Sequence, residues 1–196
     1  VFKHGLRSPE EPGQSTPDES DLLLAARQDL SLFAPIYERY FSRIYRYCLR
    51  RVGNPQEAED LTSQTFTRAL KGLQGYRGGS VPAWLFRIAH NTVANHLRGR
   101  QTQVSIEDAE LDFASDAQPP IDRLIQREET EYLRELVDHL PDEQKNLLIL
   151  KMVGGLTSKE IGAVVNKSAG AVRIELHRII KALRIQYEQT DEESFS

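Results

Sequence analysis

Apolar residues return at every third or fourth position from Phe33 to Val52: Phe33, Ile36, Tyr37, Tyr40, Phe41, Ile44, Tyr45, Cys48, Leu49 and Val52. Only a helical period brings such a series to one side, so the stretch predicts about five turns of helix with one face on a core. Gly53-Asn54-Pro55 ends that helix and starts the next, because proline is tolerated in a first turn whose N–H groups have no intrahelical partner. On the second helix Ala58, Leu61, Phe66, Ala69 and Leu70 are expected inward. Glu57, Glu59 and Asp60 lie near its N-terminus, where the macrodipole favours acids. Gly72, Gly75, Gly78 and Gly79 break the pattern into a loop. A further helix, from about Pro82 to Arg98, carries Trp84, Leu85, Ile88, Ala89 and Val93 as its apolar set. No segment alternates as a strand would, so the expected fold class is all-α.

Composition divides the chain into two helical domains. Residues 1–20 are polar and proline-rich and read as a disordered tail. Residues 21–100 form the first domain. Residues 101–127 lose periodicity, gain acids and Pro119-Pro120, and read as a flexible acidic linker. Helical signals resume over 128–188, and 189–196 is a C-terminal tail. The second domain carries a helix-turn-helix pattern. Leu147, Leu148, Leu150, Met152 and Val153 mark one helix, ended by Gly154-Gly155. Thr157 and Glu160 fit a capping box. Ile161, Val164 and Val165 mark a short helix. Asn166 suits a left-handed turn and Ser168 a new N-cap. The last helix buries Val172, Leu176, Ile179 and Leu183. Its other side shows Gly170, Arg173, Ile174, His177, Arg178, Lys181 and Arg184, with Gly170 allowing a close approach to DNA.

The charge is distributed to match. The net charge is -4, yet residues 21–100 sum to +6, the linker to -4, and residues 128–188 to -1. A near-neutral helix-turn-helix block attracts phosphate weakly, so the chain is not expected to hold DNA tightly by itself. The single cysteine, Cys48, excludes an intrachain disulfide and falls on an apolar face. No apolar run approaches the ~18 residues of a membrane span, and the N-terminus has no signal-peptide core; a soluble, cytoplasmic protein is expected.

The stretch from Tyr76 to Arg100 joins the glycine loop to aromatics, amides and arginines, without an acid. Catalysis generally needs ionisable groups of contrasting pKa, whereas holding single-stranded DNA needs flat rings, cations and amides. No Cys/His cluster has metal spacing, His90 and His96 do not share a helix face, and no phosphate-cradling or nucleophile motif occurs. Neither enzyme activity, a cofactor nor a metal is therefore expected.

These blocks together resemble the sigma factors of bacterial RNA polymerase, specifically the extracytoplasmic-function (ECF) class. The resemblance rests on Asn54-Pro-Gln-Glu-Ala-Glu-Asp-Leu-Thr-Ser-Gln-Thr-Phe-Thr-Arg-Ala-Leu70, on Tyr76-Arg-Gly followed by Trp84-Leu-Phe-Arg-Ile-Ala-His-Asn91, and on Leu140-Pro-Asp-Glu-Gln with Gly155-Leu-Thr-Ser-Lys-Glu-Ile-Gly162, Ser168-Ala-Gly-Ala-Val-Arg173 and Leu176-His-Arg178. It implies a region two bundle followed by a region four helix-turn-helix. It further implies that Asp60, Gln64 and Arg68 bind the β′ clamp helices of core polymerase and that the second domain meets the β flap. Tyr76, Arg77, Trp84, Arg87, Asn91, Asn95 and Arg98 would serve the −10 element, melting it and holding a flipped base in the loop. Ser168, Gly170, Arg173, Ile174, His177, Arg178 and Lys181 would serve the −35 element. The linker would run toward the RNA exit path, and an anti-sigma factor would be a partner. The chain departs from the family pattern in three places: Gln64 stands where Glu is frequent, Ile179-Ile180 where Ala-Arg is common, and Glu175 where a basic or small residue is usual, which would repel phosphate or accept from cytosine. The rival reading is a stand-alone helix-turn-helix repressor or activator.

Overall fold

A computed structural model of the chain describes residues 17–103 and 135–194. Most of the expected tail 1–20 and linker 101–127, and the expected domain start at Glu128, lie outside the described residues; where they are described, the structure corrects these bounds, since helix occupies 17–20, 101–103 and 189–194. Among the described residues there is no strand. The elements are α1 (Pro17–Ala25), α2 (Ala34–Val52), α3 (Pro55–Gly72), α4 (Val81–Gln103), α5 (Asp142–Met152), α6 (Ser158–Val165) and α7 (Ala169–Ser194), with short 3-10 turns at Leu30–Phe33 and Leu73–Gly75.

Local chemistry sets the boundaries. Gly53 closes α2 in a left-handed conformation at φ 76°, which carries little steric cost without a Cβ. Asn54 then caps α3, its Oδ1 accepting the N–H of Gln56 at 2.9 Å and of Glu57 at 3.1 Å. At the far end α4 continues past the expected stop at Arg98 to Gln103. A lone glycine at 99 does not break it, and Arg100 is anchored to Glu57 of α3 at 3.1 Å.

Helices α2, α3 and α4 pack on one another around Tyr40, Ile44, Cys48, Leu61, Phe66, Leu85 and Val93, all buried. α1 is tied to α2 through Glu19, which pairs with Arg39 and accepts the Tyr40 hydroxyl at 2.8 Å. In the second half α5, α6 and α7 enclose Leu147, Leu150, Ile161, Val172, Leu176 and Ile179. The two halves touch directly. α6 packs along α4 and α5 reaches α2, so their buried residues form one contiguous apolar cluster.

Some inward assignments fail at the margins of their stripes. Leu70 is 42% exposed and Met152 71% exposed, while Tyr37 and Phe41 are more than one-third exposed. Tyr47 and Ile149, outside the apolar sets read from the periodicity, are buried. The reason is the second layer: the helix face that would meet water in an isolated bundle meets the other half here.

Candidate nucleic-acid interface

The helix-turn-helix is assembled by short-range hydrogen bonds. Thr157 accepts the N–H of Glu160 through its hydroxyl, and Glu160 Oε2 accepts the Thr157 N–H at 2.8 Å, completing the capping box of α6. Asn166 adopts φ 59°, ψ 44°, and the Lys167 N–H donates to the carbonyl of Gly162 at 2.9 Å. The turn folds so tightly that a Cβ at Gly162 would lie under 3.0 Å from the Lys167 carbonyl oxygen. Ser168 accepts the N–H of Ala171 at 3.1 Å and starts α7.

With Val172, Leu176 and Ile179 buried, the opposite side of α7 is exposed: Gly170, Arg173, Ile174, His177, Arg178 and Lys181, with Ser168 at its start. Nothing lies within 4 Å of a Cβ built on Gly170, so the helix start is open. Glu175 is not presented on this side. Its carboxylate accepts from Lys167 at 2.8 Å, and Lys167 also meets Glu143 at 2.7 Å. The repulsion or base contact expected of Glu175 is thereby absorbed by a neighbouring cation. Between α5 and this flank of α7 lies a cavity of about 650 Å³, lined by Gln144, Ile174, Arg178 and Ala182 among others.

The second candidate face is on α4. Arg87, Asn91, Asn95 and Arg98 are exposed and follow Trp84 at steps of three, four, four and three, so all five share one stripe. Arg98 donates to Asn95 Oδ1 at 2.6 Å. Trp84 is partly buried and packs with the Tyr76 ring, centroids 5.2 Å apart. Tyr76 itself requires a correction. It is 3% exposed, and its hydroxyl donates to the Gly79 carbonyl at 2.7 Å and lies 3.0 Å from Ser20 Oγ. It pins the glycine loop from below rather than offering a ring to a base. Gly78 and Gly79 hold φ 92° and 103°, a conformation L side chains rarely adopt. Arg77 is exposed at the loop, donating to the Gln74 carbonyl at 2.7 Å.

On α3, Asp60, Gln64 and Arg68 are exposed and four residues apart, one face of the helix. Arg68 donates to Thr92 of α4 at 3.1 Å, which ties this face to the helix bearing Asn91.

A polar seam between the halves carried no sequence signal. Arg51 forms a two-pronged pair with Asp142, at 2.7 and 2.9 Å. The Tyr47 hydroxyl donates to Asn146 Oδ1 at 2.9 Å, and His90 Nδ1 lies 3.4 Å from Asn146 Nδ2. Ser80 donates to Glu160 Oε1 at 2.6 Å, and Arg43 donates to the Gly154 carbonyl. Burial, and then the Arg51 charge, push the His90 pKa below its ordinary value, while the hydrogen bond from Arg51 lowers that of Asp142. These partners lie 56 to 111 positions apart in sequence. Among the described residues no group of three or more His, Cys, Asp or Glu could hold a metal ion, and no helix is long and apolar enough to cross a membrane.

Comparison with known proteins agrees with this layout. The Sigma-70 region 2 family matches residues 36–103 and the Sigma-70, region 4 family residues 130–183. The chain is 30% identical to the ECF RNA polymerase sigma factor SigW of Bacillus subtilis, over 81% of this chain and 90% of that protein. It is 32% identical to the ECF RNA polymerase sigma factor BldN of Streptomyces coelicolor over 77% of this chain, but spans 58% of that longer relative. The solved sigma factor RpoE of Bartonella quintana, in complex with the anti-sigma factor NepR, shares the fold at a TM-score of 0.61 and 18% identity, covering 81% of this chain and 98% of RpoE.

Proposed function

We propose that this chain, which belongs to the ECF sigma factors of RNA polymerase, is the promoter-specificity subunit that joins core enzyme and directs initiation. One observation carries the reading: two separate exposed stripes, one of arginines and amides on α4 and one of arginine, histidine and isoleucine on α7.

The α4 stripe suits an opened strand. Taking a base out of the stack costs a few kcal/mol, which aromatic stacking and amide contacts recover. Asn91 and Asn95 offer both donor and acceptor to a base edge, Arg87 and Arg98 meet phosphate, and the Gly78–Gly79 backbone leaves room for a displaced base beside Arg77. The α7 stripe suits a duplex. Arg173, in the N-terminal half of the helix, is placed for a base edge in the major groove, where a bidentate pair is worth about 1–3 kcal/mol. Ile174 and His177 flank it, and Arg178 and Lys181 are placed for phosphate. Asp60, Gln64 and Arg68 on α3 form the surface for the β′ clamp helices, and the second half meets the β flap. An anti-sigma factor is a fitting regulator, as RpoE has NepR. The chain acts in the cytoplasm, supplies no reacting group, and lends specificity to an enzyme.

A stand-alone repressor or activator would have to hold duplex DNA without help. The net charge of -1 over residues 128–188 argues against that, and such a protein has no use for the α4 stripe. Run-off transcription with core polymerase on a genomic fragment library tests the proposal. Transcripts sharing an upstream motif are expected only when both proteins are present. Tight, specific duplex binding by the chain alone, with no transcripts, would replace this reading by the rival.

A further inference from the structure

We propose that α1, which carries neither stripe, braces the glycine loop that receives the displaced base, and that Ser20 is the positioning residue through which it acts. The promoter half of this inference rests on the sigma-factor reading; the brace itself does not.

The loop cannot fix its own position. Gly78 and Gly79 are exposed at φ 92° and 103°, and neither has a side chain to anchor it. Tyr76 supplies the anchor from beneath. A tyrosine hydroxyl has one proton, and here it goes to the Gly79 carbonyl at 2.7 Å. The Ser20 hydroxyl, 3.0 Å away, is therefore the donor to the Tyr76 oxygen. The relay runs one way, from Ser20 to Tyr76 to Gly79. Ser20 also lies against Gly78, where a Cβ would stand 3.7 Å from the Ser20 Oγ. A second tie holds the near end of the loop: Gln74 Nε2 donates to the Arg27 carbonyl at 2.9 Å. Arg77, between the two ties, donates to the Gln74 carbonyl at 2.7 Å. Both ties come from α1 and the turn that follows it.

α1 is itself held in place. Leu23 and Ala26 are fully buried, and Glu19, also buried, pairs with Arg39 and accepts the Tyr40 hydroxyl at 2.8 Å. The residue that locks α1 to α2 thus stands next to the residue that holds the loop. The Tyr76 ring extends the same register to the head of the α4 stripe, its centroid 5.2 Å from that of Trp84. The relay thereby fixes the loop and Trp84 relative to each other, with Ser20 behind the buried Tyr76. A loop that must be ordered as the base arrives binds it more weakly, because the ordering cost comes off the affinity. Two adjacent glycines make that cost large, since glycine has the most conformational freedom to lose. With the relay made, their backbone is already in place.

Ser20→Ala removes the hydroxyl and Ser20→Thr keeps it, so the pair tests the brace in the full chain. Without polymerase, Ser20→Ala should speed amide exchange in residues 77–80 about two- to tenfold, the loss of one neutral hydrogen bond, and leave α7 unchanged. With core polymerase, initiation is read from two promoter libraries, one randomised in the −10 element and one in the −35 element. Ser20→Ala should lower discrimination at the displaced base by about two- to tenfold, with core affinity and −35 preference unchanged. Ser20→Thr should restore both the exchange rate and the discrimination. Unchanged loop exchange in Ser20→Ala overturns the brace. Faster exchange with discrimination intact overturns the positioning role. An equal loss across both libraries, or no recovery in Ser20→Thr, makes Ser20 a general stability residue and overturns that role as well. If the unaltered chain yields no transcripts with core, the sigma-factor reading fails, while the exchange rates still decide the brace.

Discussion

Two glycines of the helix-turn-helix give a prediction whose sign depends on space alone. In a helix interior, exchanging glycine for alanine gains about 0.5–1 kcal/mol, because alanine has less conformational freedom to lose. Gly162 and Gly170 are both helical, in α6 and α7. At Gly170 a Cβ meets nothing within 4 Å, so Gly170→Ala should keep that gain, reduced to a few tenths of a kcal/mol by its place in the first turn. At Gly162 the same Cβ would stand under 3.0 Å from the Lys167 carbonyl oxygen. That oxygen cannot swing aside as a side chain would. The Lys167 N–H is bonded to the Gly162 carbonyl at 2.9 Å and Asn166 is in the left-handed conformation, so the turn must move as a unit. Overpacking of this kind costs about 1–3 kcal/mol, and loosening the turn hydrogen bond about 1 more. After the propensity gain, Gly162→Ala should lose about 1–3 kcal/mol. For a small domain at about 4–8 °C per kcal/mol, the melting midpoint falls by roughly 4–24 °C. Thermal unfolding followed by circular dichroism measures both variants. A Gly162→Ala midpoint equal to or above that of the unaltered chain would refute the reasoning. Gly170→Ala carries a second readout: with its fold intact, it should weaken selection of the upstream promoter element if the open helix start lies against DNA.

Four other outcomes are expected. Tyr76→Phe removes the hydroxyl that holds the Gly79 carbonyl and should cost about 0.5–1.5 kcal/mol, with faster amide exchange in residues 77–80 and no change in α7. Protonation of His90 is disfavoured in the folded chain, where burial and then the Arg51 charge hold its pKa below the ordinary value; the stability this contributes is full above pH 6.5 and is lost as pH falls below that value, so the thermal midpoint should drop between pH 7 and 5 in the unaltered chain and lose that slope in His90→Gln. Asn91→Ala should depress open-complex formation in permanganate footprinting while core binding persists, since it removes a contact worth about 1–3 kcal/mol; normal melting would make Asn91 a solvated amide. Arg173→Ala should relax preference at one upstream position, whereas Arg178→Ala should weaken all promoters alike and lower the salt slope by about one, as initiation from a randomised upstream library at two salt concentrations would show.

What the sequence disclosed and what it withheld follow from how far each interaction reaches along the chain. The capping box of Thr157 and Glu160, the left-handed Asn166 and the stop at Gly53 are contacts of one to four residues, and each was legible as a motif. The α7 stripe was legible too, because burying Val172, Leu176 and Ile179 leaves Arg173, Ile174 and His177 outside. Tyr76 was misjudged because an aromatic beside glycines suits both a stacking platform and a buried pin; only its partners, Gly79 and Ser20, distinguish them. The seam was not legible at all. Arg51, Asp142 and Asn146 have the character of ordinary helix-surface residues, and nothing local says that Tyr47 will lie against a helix about one hundred positions away. Glu175 reads as an intruder on a DNA face until Lys167 is seen to occupy it.

Cys48 closes off one route of control. Its side chain is 0% exposed, between α2 and α3, and burial raises its pKa to about 11. Peroxide and disulfide reagents attack the thiolate, and near neutral pH only about one molecule in ten thousand would carry it, with no solvent path to the sulfur. These 196 residues contain no other cysteine. Oxidative stress therefore finds no thiol trigger in this stretch of chain. If the genes under its control answer to oxidants through a thiol, that thiol lies outside these 196 residues.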